Sequence, residues 1–288
     1  MYSSKDLAVC ISTHNNLNYL KLCVESVRKN FTFNDCEINV YAENCTDGTD
    51  EWLQSRADIN SKIEHNEIDK GVGQGMNTSA EMTNRKFIIF LHSDMYVCKG
   101  YDIELMKHIK PRTIVTSYRI EPDIFNKLKE DELYKVTDPG LITIQRYLFG
   151  EYHSNFKSHN FERWTTKFAQ INENLMRKSF GAGGYLISKE DWDYVGGNDT
   201  QFSPAAFDDF DIFIRMQLAK LDFIMTSKSI LYHFGSRSGH FPTDDFTSKM
   251  PERQRLSEEA GIKKYLAKWK EYPTFDQLGF IKVPEHLC

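Results

Sequence analysis

Five consecutive apolar residues, Phe87-Ile88-Ile89-Phe90-Leu91, run directly into His92-Ser93-Asp94. An unbroken apolar run of this length reads as a strand buried on both faces, which calls for helices on each side of its sheet. In open α/β sheets ligands bind beyond the carboxyl ends of the strands, so the polar triplet is aimed at a ligand or a metal. A strand leaving through His-Ser-Asp is also an ordinary turn, and the choice depends on what accompanies it.

The first half alternates strands and helices. Leu7 to Ser12 reads as a strand, and Leu17, Leu20, Val24 and Val27 recur at helical spacing after the cap-type residues Asn15 and Asn16. Ile38 to Ala42 reads as the next strand, Asp47-Gly48-Thr49-Asp50 opens a short helix through Trp52 and Leu53, and a weaker strand lies near Ile63. Gly71 to Arg85 reads as a glycine-rich turn feeding a helix. This order predicts the α/β class, with a mostly parallel central sheet and helices on both faces. The second half is less regular. Thr113 to Ser117 reads as a strand, and the aromatic and charged stretch that follows is too long for a bare loop, so helices are expected in it. Small residues at Gly181 to Gly184 precede an apolar strand, Tyr185 to Ile187. A helix is expected over Asp208 to Leu221, two short strands over Phe223 to Thr226 and Ile230 to His233, and a helix around Leu256 to Trp269 before an extended end.

With 288 residues, 40% hydrophobic, the chain has enough apolar side chains for one large α/β domain or two small ones. No stretch approaches the ~20 apolar residues of a membrane span, and the start lacks the charged and apolar regions of a signal peptide. The expectation is a soluble, cytoplasmic protein with no transmembrane segment. Cys10, Cys23, Cys36, Cys45, Cys98 and Cys288 show no C-x-x-C spacing, which fits reduced thiols better than a disulfide framework or a zinc site. A net charge of -5 offers no general attraction to nucleic acid or anionic membrane. Arg163 to Lys178, with Trp164 and Phe168, is the one candidate for a local basic patch.

Taken in order, these pieces resemble the inverting glycosyltransferases of family 2 with the GT-A fold. Val9-Cys10-Ile11-Ser12-Thr13-His14-Asn15 is similar to the first strand and its Pro-Thr-Tyr-Asn type of turn. Glu43-Asn44-Cys45-Thr46-Asp47-Gly48-Thr49 resembles the loop rich in Asp, Asn and Gly after the second strand, and Asp69 to Asn77 the Gly-containing segment ending in Asn. His92-Ser93-Asp94 falls where the family carries Asp-x-Asp. Gly183-Gly184-Tyr185, Val195 to Asp199, Phe207-Asp208-Asp209-Phe210-Asp211 through Arg215, and Tyr232-His233 resemble the later elements. The likeness runs over roughly residues 7 to 235. It implies a GT-A glycosyltransferase domain over 1–243, divided into a nucleotide-sugar-binding half at 1–117 and an acceptor and catalytic half at 118–243. Residues 244–288 are then a helical extension packed on the same domain.

The resemblance also implies roles. A nucleotide-sugar donor departs as a nucleoside diphosphate, and a divalent cation on hard ligands neutralises that charge as a Lewis acid. Asp94 and His233 are the implied ligands of Mn²⁺ or Mg²⁺, the imidazole favouring Mn²⁺. His92 replaces the family's first acid and, with Ser93, is assigned to the donor. Inversion needs a base within reach of the acceptor hydroxyl. The likeness places it in the pair Asp208 and Asp209, with Asp209 favoured and Asp208 coupled to its titration. The same residues suit a helix N-cap and its first turn, and the two roles are compatible. Thr13, Asn15, Glu43, Asn44, Gly71 and Asn77 are assigned to the donor, a UDP-sugar by preference, and Arg237 to a loop over the diphosphate with His240 nearby. The acceptor is a glycan, a small molecule, a protein or modified DNA, and the oligomeric state is open. Two alternatives stand beside this reading: a catalytically inactive sugar-nucleotide-binding protein, and a nucleotidylyltransferase. The latter would want a glycine-rich basic loop after the first strand, where the chain has Ser12-Thr13-His14-Asn15-Asn16.

Overall fold

A computed structural model of the chain describes residues 2–123, 141–171, 176–177, 184–235, 252–276 and 280–288. Its elements in chain order are β1 (Leu7–Thr13), α1 (Leu17–Asn30), β2 (Glu37–Glu43), α2 (Thr49–Gln54), β3 (Asn60–Glu64), α3 (Gly71–Glu81), β4 (Phe87–His92), β5 (Met95–Val97) and α4 (Tyr101–Met106). Then follow β6 (Thr113–Asp123), β7 (Leu141–Gln145), α5 (Arg146–Phe149), α6 (Ser158–Ile171), β8 (Met176–Arg177), β9 (Tyr185–Ser188), α7 (Lys189–Val195), α8 (Asp208–Leu218), β10 (Asp222–His233) and α9 (Glu252–Trp269). The sheet runs β3-β2-β1-β4-β9-β6-β10-β5, with β7 on β6 and β8 on β10. β1, β2, β3 and β4 are mutually parallel, as are β6, β7 and β10, while β9, β5 and β8 run against their neighbours.

The opening apolar run behaves as its composition dictates. In β4, Phe87, Ile89 and Leu91 join one hydrophobic cluster and Ile88 and Phe90 the other, so successive side chains feed cores on opposite faces. Fully burying each such side chain is worth roughly 1.5–3 kcal/mol, so neither face can be left to water. α1 and α6 cover the first face, where Phe161, Trp164 and Phe168 are fully buried. The segment suspected of forming a basic patch is thus split by helical period: its aromatic residues turn inward while Arg163 and Lys167 stay exposed. α8 covers the second face, and Tyr265 and Trp269 of α9 join the same cluster.

Two local readings are corrected. The expected pair of strands, Phe223 to Thr226 and Ile230 to His233, is one strand, β10. Its pairing with β6 shifts register between Thr226 and Ile230, so a bulge accounts for the polar Ser227-Lys228-Ser229 that reads as a break. Asn16 sits at the N-cap of α1 without a side-chain cap bond; the Leu17 amide donates instead to Asp47 Oδ2 at 2.9 Å, from a loop thirty residues away. Cys10, Cys23, Cys36, Cys45 and Cys98 are buried free thiols, and Cys288 is exposed. No helix among the described residues is long and apolar enough to cross a membrane.

Candidate active site

A cavity of about 280 Å³ opens at the carboxyl ends of β1 and β4 and the start of α8. Ser12, His92, Ser93, Asp94, Asp208, Asp209 and His233 line it, with Val72 and the 205–207 segment. Strand register assembles it. Ser12 pairs with His92 across β1 and β4, and β5 turns back along β10 so that Met95 pairs with His233. The Phe234 amide donates to the Asp94 carbonyl at 3.0 Å, which sets His233 Nε2 3.4 Å from Asp94 Oδ1. β6 runs parallel to β10 with Ile120 opposite Tyr232, one residue short of Glu121 and His233. Glu121 Oε1 lies 2.5 Å from His233 Nδ1 and 3.2 Å from Arg119 Nε. One ligand-type atom each from His92, Asp94 and His233 fall within 4.8 Å of one another.

Charge is concentrated here under little water. Asp94 is 2% exposed. Burial opposes a charge on His233, but the Asp94 and Glu121 carboxylates outweigh it and raise its pKa to about 9. His92 goes the other way: burial holds its pKa below the usual imidazole value, against the pull of Asp94. Across the cavity, Ala206 and Phe207 adopt left-handed backbone, φ 79° and 66°, immediately before α8 begins at Asp208. Burial, then repulsion from Asp209, pushes the Asp208 carboxyl up to about 7. Burial and then the same two carboxylates hold the Tyr185 phenol well above its usual range, so it stays neutral.

The remaining sequence-assigned residues lie along the same strand ends, several of them engaged with the protein itself. Thr13 is buried, and its hydroxyl oxygen has no hydrogen-bond partner among the described residues. Asn15 Oδ1 accepts from the Thr46 amide at 2.6 Å. The Glu43 carboxylate accepts from the amides of Lys70 and Gly71, at 2.7 and 2.9 Å, and from Asn66 Nδ2 at 3.0 Å. It thereby supplies the start of α3 with acceptors that a local cap side chain does not provide. Asn44 bridges Asp69 Oδ1 and the Asn66 amide, both at 2.7 Å. Asn77 pairs with the backbone of Asn198 through both ends of its amide, at 2.9 and 2.8 Å, and does not line the cavity. Arg237 and His240, and the glycines at 181–183, lie outside the described residues.

Gly71 joins this network to the cavity wall. Its φ is +78°, and a Cβ there would sit 2.1 Å from the Pro204 carbonyl oxygen, whose backbone also accepts from the Val72 amide at 3.0 Å. Gly71→Ala combines a left-handed alanine with a backbone clash and should destabilise by roughly 2–4 kcal/mol. Urea unfolding measures this, and a loss below about 0.5 kcal/mol would mean that the wall relaxes freely.

Sequence reasoning missed Glu121 and the support behind the 203–210 wall. Lys264 Nζ donates to the Ser203 carbonyl at 3.0 Å, and Gly261 packs so closely that a Cβ would be 2.8 Å from Phe207. Neither has a sequence signal, because each contact joins residues more than fifty positions apart.

The profile of the family described as Glycosyl transferase family 2 matches residues 8–179, more than half of the chain. No curated protein matches the sequence. Among solved structures, S. aureus TarS aligns with TM-score 0.52 at 15% identity, over 81% of this chain and 37% of TarS. TarS 1-349 in complex with UDP-GlcNAc aligns at 0.51 and 12%, over 91% of this chain and 73% of that one. GalNAc-T7 with UDP, GalNAc and Mn²⁺ aligns at 0.55 and 13%, over 79% and 43%. The chain thus spans little more than a third of full TarS, and at these identities the likeness concerns the fold, the GT-A arrangement expected from the motifs. Together with the matched profile, this establishes that the chain belongs to glycosyl transferase family 2.

Proposed function

We propose that the protein is a metal-dependent, inverting glycosyltransferase that moves one sugar from a nucleotide sugar, by preference a UDP-sugar, to an acceptor hydroxyl. The observation that carries this reading is that one cavity brings Asp94 and His233 together with Asp208 and Asp209, although they are spread over some 140 residues of chain. Family membership and the UDP, UDP-GlcNAc and Mn²⁺ complexes named for similar structures support it.

The residues present suit a divalent cation: a carboxylate and two imidazoles with donor atoms within 4.8 Å is an ordinary set for a first-row metal such as Mn²⁺. Bound by Asp94 and His233, the cation would supply positive charge to the departing diphosphate. The chain's own residues do the rest. Asp209 accepts the proton of the acceptor hydroxyl as its oxygen bonds to the anomeric carbon and the bond to the diphosphate oxygen breaks. One displacement of this kind inverts the centre. Asp208 competes for that proton. Thr13, whose buried hydroxyl has no partner among the described residues, faces the donor's nucleoside with Glu43 and Asn44 behind it. The acceptor is a glycan, a small molecule, a protein or modified DNA. We assign 1–243 to the transferase domain and 244–288 to an extension packed on it.

Thermal unfolding with a panel of nucleotides, with and without Mn²⁺, tests the reading. A ligand at about one hundred times its Kd stabilises by roughly 2.7 kcal/mol, so UDP with Mn²⁺ should raise the midpoint. Asp94→Ala should abolish the Mn²⁺-dependent part. No response to any nucleotide would overturn the donor site. His92 in place of the family's acid favours a second reading, a binding protein without transfer. A UDP response without turnover of any UDP-sugar, by hydrolysis or transfer, would support it.

A further inference from the structure

His233 is gripped from both sides. Its Nε2 faces Asp94 Oδ1 at 3.4 Å, while its Nδ1 meets Glu121 Oε1 at 2.5 Å, and Glu121 is itself held by Arg119 Nε at 3.2 Å. An imidazole that donates Nδ1–H to a carboxylate has its ring plane set and presents Nε2 to whatever lies on the other side. Glu121 meets the nitrogen opposite the one facing Asp94, so the same oxygen cannot also reach an ion held between Asp94 and Nε2. Nor is Glu121 among the residues lining the cavity. Its geometry is that of a positioning residue.

His92 completes the arrangement. Its ring centroid is 5.9 Å from that of His233, with the planes at 70°, and it contributes the third atom of the cluster. We propose that Glu121 orients His233, so that His92, Asp94 and His233 form a site of two imidazoles and one carboxylate that takes Mn²⁺ in preference to Mg²⁺. This rests on the reading that the cavity holds a divalent cation. Selectivity follows from ligand type: Mg²⁺ demands oxygen ligands in near-ideal octahedral geometry, whereas imidazole suits the later, softer metals. His92 then moves from the donor to the cation.

The test is direct binding of Mn²⁺ and of Mg²⁺ to the full chain, by calorimetry and by the electron paramagnetic resonance of free Mn²⁺. The wild type should bind Mn²⁺ at least about tenfold more tightly than Mg²⁺, and His92→Asp should narrow that ratio. Glu121→Ala should weaken Mn²⁺ about 10–100-fold. Glu121→Gln, whose amide oxygen still accepts from Nδ1–H, should recover much of the affinity. Should the alanine variant fail to fold, the glutamine variant and His92→Asp carry the test. Wild-type protein that binds no Mn²⁺ would overturn both this inference and the cation reading. If the wild type binds Mn²⁺ and Glu121→Ala binds it equally, the orienting role falls while the cation reading stands. Equal weakness of the alanine and glutamine variants would show that charge, not orientation, matters and would also overturn it. Equal affinity of the wild type for the two metals would overturn the selectivity.

Discussion

Asp209→Asn is expected to lower kcat about 10²–10⁴-fold, the range for loss of a positioned general base, while UDP and Mn²⁺ bind as before. The amide keeps the shape of the carboxylate at the start of α8 but cannot take the acceptor's proton. Asp208→Asn should act differently, because it removes the neighbouring carboxyl that burial and repulsion push up to about 7. The pH profile separates them. Burial and Asp209 raise Asp208 to about 7, so near neutrality the pair gives up a proton, and a pair that works as the base does so fully only once that proton has left. Activity of the wild type should therefore fall as pH drops through about 7, with an apparent pKa belonging to the pair. In Asp208→Asn that limb should move to lower pH. A limb unmoved in this variant would place the titration elsewhere, and an Asp209→Asn enzyme of near-normal kcat would remove Asp209 as the base.

A large stability effect is expected at Asp211. This carboxylate is fully buried and accepts from Arg215 Nε at 2.8 Å, Lys268 Nζ at 2.6 Å and Trp269 Nε1 at 3.0 Å. Arg215 continues to the Val195 and Gly197 carbonyls, and Lys268 also reaches Asp199 at 2.6 Å. Asp211 thus joins α8 to α9, and Arg215 carries the tie on to the turn after α7, in the first turn of the helix that starts at Asp208. Asp211→Ala takes the shared buried carboxylate from two partly buried cations, leaving Lys268 with Asp199 and Arg215 with two carbonyls, and should cost about 3 kcal/mol, the low end for breaking a buried ion pair from one side. Chemical denaturation measures it. Lys268→Met should cost less, since Arg215 and Trp269 still serve Asp211. A loss under about 1 kcal/mol for Asp211→Ala would mean that the network behaves like a solvated surface pair.

Features that span only a few residues are legible in the sequence alone. The period-2 burial of β4, the helical spacing of Leu17, Leu20, Val24 and Val27, and the acidic start of α8 all follow from such short patterns. So does the crevice at the strand ends, because β1 and β4 are parallel neighbours and their polar ends must emerge together. The bulge in β10 is not legible, since a polar interruption in an apolar run is also what a loop looks like. Nor are the protein-internal duties of Glu43, Asn44 and Asn77, whose partners are backbone groups that a sequence does not place.

Resemblance of its motifs to the family nominates a candidate base and candidate ligands; the sequence by itself determined the layered α/β architecture and the strand ends that carry polar residues. These depend on local propensity and hydrophobic period, which act within a turn or a strand. Only the tertiary structure decided which of those side chains meet. Glu121 reaches His233 because β6 and β10 pair in one register and not another, and a shift by a single residue would turn Glu121 to the opposite face of the sheet. Lys268 reaches Asp211 because α9 packs its aromatic face on the cluster that α8 already covers. Contacts between residues far apart in the chain are set by the packing of whole elements, and no short stretch of sequence contains that information.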